Sequence, residues 1–130
     1  MAEIKFTEPL DKDIFGKTAE EYAQKISQSK SNKSTQIRKY YDELVMWNDK
    51  IQHAENKQEA FEYNAPFIQM MRAKVAYASG RKAEGGYLLD EHFVKMFNQI
   101  MEQIRDEKSL RYAKLFFEAV LGFRKALEKR

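Results

Sequence analysis

Apolar residues recur along most of the chain at the spacing of one face of an α-helix. Ile37, Tyr40, Tyr41, Leu44, Val45 and Ile51 fall at helical intervals, which about 3.6 residues per turn gathers on one side. Phe93, Val94, Phe97, Ile100, Met101 and Ile104 repeat the pattern, as do Leu110, Ala113, Phe116, Phe117, Val120 and Leu121. Two further segments read as helical. One runs from Thr18 to about Gln28, with Thr18 as N-cap and Glu21 as its capping-box partner. The other runs from Lys57 to Arg81 and contains Pro66. Either Asn64 caps a helix beginning there, or a longer helix bends where proline removes a hydrogen bond. Gly80 ends that segment. Ser34 or Thr35 caps the helix of the first stripe, and Asp90 the helix carrying Phe93. The Ser/Asn/Lys cluster from Ser27 to Ser34 reads as a loop and Glu84 to Tyr87 as a turn. Gly122, inside the last helix, costs about 1 kcal/mol relative to alanine and points to a close helix contact. No segment of useful length alternates with period two. The expected fold is all-α, a compact bundle of about five helices formed by residues 17–130, with residues 1–16 as a weakly structured N-terminal extension.

Composition narrows the class. A chain of 130 residues, 43% apolar, is long enough for one packed core and too short for two comfortable ones. Nine Phe, seven Tyr and one Trp argue against disorder. No run approaches the ~20 apolar residues of a membrane span, and "MAEIKFTEPLDKD" has neither the basic start nor the apolar run of a signal peptide. The absence of cysteine excludes disulfides and thiolate chemistry. Together these features set the expectation of a cytoplasmic protein with no membrane partner.

Charge adds more than the net +3 suggests. Residues 25–39 hold Lys25, Lys30, Lys33, Arg38 and Lys39 and no acid; residues 72–82 hold Arg72, Lys74, Arg81 and Lys82 and no acid. Between them Asp42, Glu43, Asp49, Glu55, Glu59 and Glu62 face only Lys50 and Lys57. Segregated charge of this kind bears on partners.

The residues of enzymatic chemistry are missing. His53 and His92 lie on different predicted helices, outside any ligand spacing such as HExxH. Glu55, Glu59 and Glu62 share a helical face but lack the Glu-x-x-His partners of a di-metal bundle, so a solvated acidic face is the better reading. "GRKAEGG" lacks the residue order of a phosphate-binding P-loop. No catalytic residue, metal site or cofactor is expected. Tyr40, Tyr41, Phe67, Phe93, Phe97, Phe116 and Phe117 read as core. Trp47 and Tyr87 lie off the stripes, as contacts for a protein neighbour or as half-buried aromatics.

The basic clusters carry the functional signal. Lys33, Ser34, Thr35 and Gln36 occupy a helix start, where free N–H groups favour an anion, though capping is the first reading of Ser34. Arg38 and Lys39 point away from the apolar stripe. Lys74, Tyr77 or Ala78, and Arg81 share a face, beside small residues that allow a backbone to approach. Any one such cation is more often plain surface; two acid-free clusters in one small domain favour nucleic-acid binding. Without a helix-turn-helix, zinc-finger or RNP signature, contact would be to the backbone and not to base edges. The competing class is a helical adaptor that binds only protein, with basic clusters facing acidic partners.

"STQIRKYYDEL", "APFIQMMRAKVAYASGR" and "LRYAKLFFEAVLGFRK" resemble, in order and spacing, the small subunit of the Csm-type (type III-A) CRISPR effector complex, over residues ~30 to ~125. The resemblance implies a non-catalytic helical bundle that stacks in several copies as the inner filament of a ribonucleoprotein. It would lie beside the backbone and large subunits and associate with its own copies head-to-tail or as a dimer. Basic residues would hold the duplex of guide RNA and target RNA in an antiviral system. Carried to matching positions, the implied RNA contacts are Lys33, Gln36, Arg38 and Lys39, and Lys74 and Arg81.

Overall fold

The computed structural model describes residues 1–83 and 86–128. A π turn, Ile14–Thr18, leads into α1 (Ala19–Ile26), followed by α2 (Ser34–Gln52), α3 (Lys57–Gln69), α4 (Met71–Ser79), β1 (Lys82–Ala83), β2 (Gly86–Tyr87), α5 (Glu91–Glu102) and α6 (Glu107–Glu128). The fold is all-α apart from the two short strands, which pair antiparallel with Lys82 opposite Tyr87. The five expected helices are present, the third divided at Met70 into α3 and α4. Of the expected turn at Glu84–Tyr87, Glu84 and Gly85 lie outside the described residues. No helix among the described residues is long and apolar enough to cross a membrane.

The long helix α6 packs against α1 and α2, and α5 packs against α4 and α1. Their apolar stripes meet in one core. Tyr40, Phe93, Phe97 and Phe117 pack as a continuous set of rings, with Phe93 and Phe97 stacked at 5.9 Å and Phe97 edge-on to Phe117 at 6.4 Å. Such spacings are those at which aromatic pairs add to burial.

Several helix ends differ from expectation for local reasons. Thr18 makes no cap bond, because the π turn has already coiled the chain and Thr18 itself has helical angles. Neither Ser34 nor Thr35 caps α2. Lys33 takes the N-cap position with no side-chain bond, and the Ser34 hydroxyl donates instead to Glu128 at 2.6 Å. Asn64 does not start a helix either. It lies within α3, 6% exposed, and its amide donates to the Ala60 carbonyl at 2.8 Å. The cap is Asn56, whose side chain accepts the Glu59 N–H, so the helix begins there and α3 continues through Pro66 to Gln69. Asp90 caps α5 as expected, accepting the Phe93 N–H at 3.0 Å. Gly80 follows the last residue of α4. Gly122 meets no close helix: apart from its chain neighbours and its own helix backbone, no heavy atom lies within 4 Å of where its Cβ would stand. Phe67 is half exposed and not part of the core.

The N-terminal segment has no helix or strand before the π turn at Ile14, yet it packs on the bundle. Ile4, Phe6 and Ile14 are buried, with Glu3, Lys5 and Thr7 exposed between and beside them. Gln99 of α5 and Gln103, its C-cap residue, accept the N–H groups of Ile4 and Phe6 at 3.3 and 3.1 Å, and the Tyr22 hydroxyl donates to the Ala2 carbonyl at 2.8 Å. Two alternating apolar residues are too short a signal to read alone; what pins them is a pair of glutamines almost one hundred residues away.

Candidate nucleic-acid interface

The loop before α2 and the hairpin after α4 are stitched together. Asn32 is fully buried with φ 61°, a left-handed conformation that asparagine tolerates better than most residues. Its side-chain amide donates to the Ile26 carbonyl at 3.1 Å and to Asp90 at 2.8 Å, while its oxygen accepts the Asp90 N–H at 2.9 Å. The Asn32 N–H donates to the Leu88 carbonyl, and the Leu88 N–H donates to the Arg81 carbonyl, both at 3.0 Å. Arg81 and Lys33 are therefore linked through two bridging residues, Leu88 and Asn32. Further along, Lys74 Nζ reaches the Glu43 carboxylate at 3.0 and 3.1 Å. The loop before α2 is thus tied to the chain after α4, and the middle of α2 is tied to α4 through the Glu43–Lys74 pair. The two basic clusters, about forty residues apart in sequence, are neighbours.

They are not equally available. Lys33, Lys39 and Arg81 are exposed and make no ion pair among the described residues. Lys39 Nζ lies over the Tyr40 ring and the Arg81 guanidinium over the Tyr77 ring, at 5.8 and 5.9 Å. Lys74 is held by Glu43, which also accepts the Trp47 indole N–H at 3.2 Å. Gln36 is half-buried, and its Oε1 has no partner among the described residues. Tyr77, 72% exposed, stands between Lys74 and Arg81, while Ala78 is buried; of the two residues the spacing allowed on that face, it is Tyr77.

Arg38 turns to the other flank of α2. At ~100° per residue it stands about 160° from Gln36 round the helix. There it forms a weak ion pair with Asp42 at 4.0 Å and lines a groove of about 520 Å³ between α2 and α6, with Ser34, Thr35, Tyr41, Gly122, Arg124, Lys125 and the carboxylates Glu118 and Glu128. Arg124 is only 9% exposed. The sequence carried a signal for it: Phe117, Val120 and Arg124 keep helical spacing, so an arginine occupies a position due to an apolar residue. Burial pulls its pKa below the usual arginine range, against the raising effect of Glu128.

No group of metal-ligating side chains occurs among the described residues. His53 caps its own helix, its Nδ1 2.7 Å from the Asp49 carbonyl. On α3, α4 and the residue between them, Tyr63, Phe67, Met70 and Tyr77 are 49–75% exposed. The Tyr63 and Phe67 rings lie 6.2 Å apart.

A family model described as Csm2 Type III-A matches residues 10–130. The chain belongs to the Csm2 family. It is thus a small subunit of the type III-A CRISPR complex, in which it has other subunits for neighbours. No curated protein and no solved structure matches the chain. The Csm2 match takes in α1 to α6 and both basic clusters, and leaves out the buried Ile4 and Phe6.

Proposed function

We propose that this Csm2 chain is a non-catalytic, cytoplasmic subunit that stacks in several copies as an inner filament and grips the backbone of the guide RNA–target RNA duplex. The observation that supports the reading is the Asn32–Leu88–Arg81 stitch, which ties the chain next to Lys33 to the chain at Arg81; Lys39 follows further along α2, exposed and free of an ion pair among the described residues. An A-form duplex hides its base edges in a deep, narrow groove, so a helical surface of lysine and arginine can hold only phosphates and 2′-hydroxyls. Guide-directed systems leave sequence to base pairing and shape to protein. Two or three phosphate contacts per copy bind weakly alone and shallowly in salt; repetition along a filament supplies avidity.

The test is RNA retention by a variant with Lys33, Arg38, Lys74 and Arg81 changed to Ala, alongside cooperative melting. Lost retention with an intact melt is the expected result. A second reading, a protein-only adaptor, draws on the exposed Tyr63–Phe67–Met70 stripe and on the neutralisation of Lys74 by Glu43. It gains if assembly with the neighbouring subunits fails while RNA affinity holds.

A further inference from the structure

We infer that the groove between the amino end of α2 and the carboxyl end of α6 is a seat for a phosphoryl group. Two independent features converge there. The first turn of α2 has no side-chain cap, which leaves the Ser34 and Thr35 N–H groups without one at the positive end of a 19-residue helix, and both residues line the groove. The second feature is Arg124, which lines the same groove, is 9% exposed, and has an Nη1 with no hydrogen-bond partner among the described residues. One buried guanidinium nitrogen left without a partner, beside an Nε held only at 3.9 Å by Glu128, is costly unless an anion completes the group.

Glu128 marks where that anion belongs. Its carboxylate takes the Ser34 hydroxyl at 2.6 Å and lies 3.9 Å from Arg124 Nε and 3.7 Å from Lys125 Nζ. It is an internal stand-in at the last described turn of α6, reaching the arginine only at ion-pair range. The other carboxylate, Glu118, is already engaged by Lys114 at 2.8 Å and by the Tyr41 hydroxyl at 3.1 Å. Arg124 and Lys125 thus share one carboxylate at ion-pair range, and Arg38, paired only at 4.0 Å with Asp42, lines the same groove. A phosphoryl group brings the oxygens to satisfy the arginine fork, the serine and threonine hydroxyls and the free N–H groups at once. Gly122 leaves room for it, with nothing within 4 Å of its Cβ position. The oxygens of an RNA phosphodiester and of a free phosphate share this chemistry.

The experiment uses the full chain labelled with ¹⁵N, titrated with inorganic phosphate against sodium chloride at matched ionic strength. Saturable shifts of the Ser34 and Thr35 amides and the Arg124 Nε–H are expected with phosphate only. Glu128→Gln should tighten phosphate by about 2–5-fold, the worth of one exposed charge. Arg124→Met should abolish saturation. So should Gly122→Asp, which places a carboxylate in open space without disturbing the fold; its unchanged melting temperature is the control. Shifts that spread over surface lysines without saturating overturn the seat, as does saturation that survives both variants. A blunt RNA duplex with hydroxyl ends forms the second arm. Duplex shifts at the same resonances, displaced by phosphate, assign the seat to a backbone phosphodiester. Duplex binding that leaves them untouched, with phosphate still saturating, assigns it to free phosphate. Failure of the duplex to bind at all removes the RNA reading of the previous section and leaves the phosphate arm standing.

Discussion

Asn32 and Asp90 show how much of the interface rests on single side chains. Asn32 combines a left-handed backbone with three side-chain hydrogen bonds. Asn32→Ala should destabilise by about 2–4 kcal/mol, since it strains the backbone and leaves the Ile26 carbonyl and Asp90 unsatisfied. Asn32→Gly relieves the strain but not the lost bonds and should fall between alanine and wild type; urea midpoints at constant slope measure both. Asp90 has a pH consequence. Burial pushes its pKa up, but bonds from Asn32, the Phe93 N–H and Ser29 outweigh burial and hold it below the usual range. The Ser109 N–H and hydroxyl likewise hold Asp106 low, and Lys114 holds Glu118 low. A carboxyl lowered in the folded state stabilises fully above its unfolded pKa, near 4, and loses that contribution as pH falls through the folded value. Stability should therefore hold from neutrality to about pH 4 and decline below it, and Asp90→Asn should flatten that acid limb in pH-dependent melts.

At the scale of elements, the N-terminal segment behaves as a strap across α5 and α6. Phe6 is fully buried, its ring 6.0 Å from that of Phe116. Phe6→Ala should cost about 3–5 kcal/mol. Because the family match begins only at residue 10, removal of residues 1–7 is the sharper test: a substantial drop in melting temperature is expected, where a truly unstructured extension would leave it unchanged. Helix α2 is the other element that matters functionally. Its inner face is core, one flank carries Glu43 to Lys74, and the other carries Ser34 and Arg38 to the α6 groove. The basic entry to this helix is held by what lies on either side of it, not by a cap of its own.

At the scale of the molecule, segregation of charge survives folding. Glu55, Glu59 and Glu62 are exposed at the start of α3, at the opposite end of α2 from Lys33. The head-to-tail stacking proposed above would set the acidic end of one copy against the basic end of the next. Reversing all three glutamates to lysine should weaken self-association in sedimentation while leaving melting within about 1 kcal/mol of wild type, since exposed charges contribute little to folding. Unchanged sedimentation would remove the acidic end from the contact.

The helices, their order and most of the core were legible because an apolar stripe at 3.6 spacing has few other solutions: Leu44, Phe97 and Phe117 sit where their periodicity puts them. The candidate cations were legible as types and positions, since runs without acids show in the chain. Neighbours were not. The sequence could not say that Glu43 would neutralise Lys74, that Arg38 would face α6, or that Arg124 would be buried without a full complement of partners. Each depends on the rotation of one helix against another, and a few degrees of packing choose which side chains meet. The primary structure determined which segments coil and which faces seek burial, because those follow from local spacing. Only the tertiary structure decided which charges remain free to bind, because that turns on contacts between residues remote in the chain.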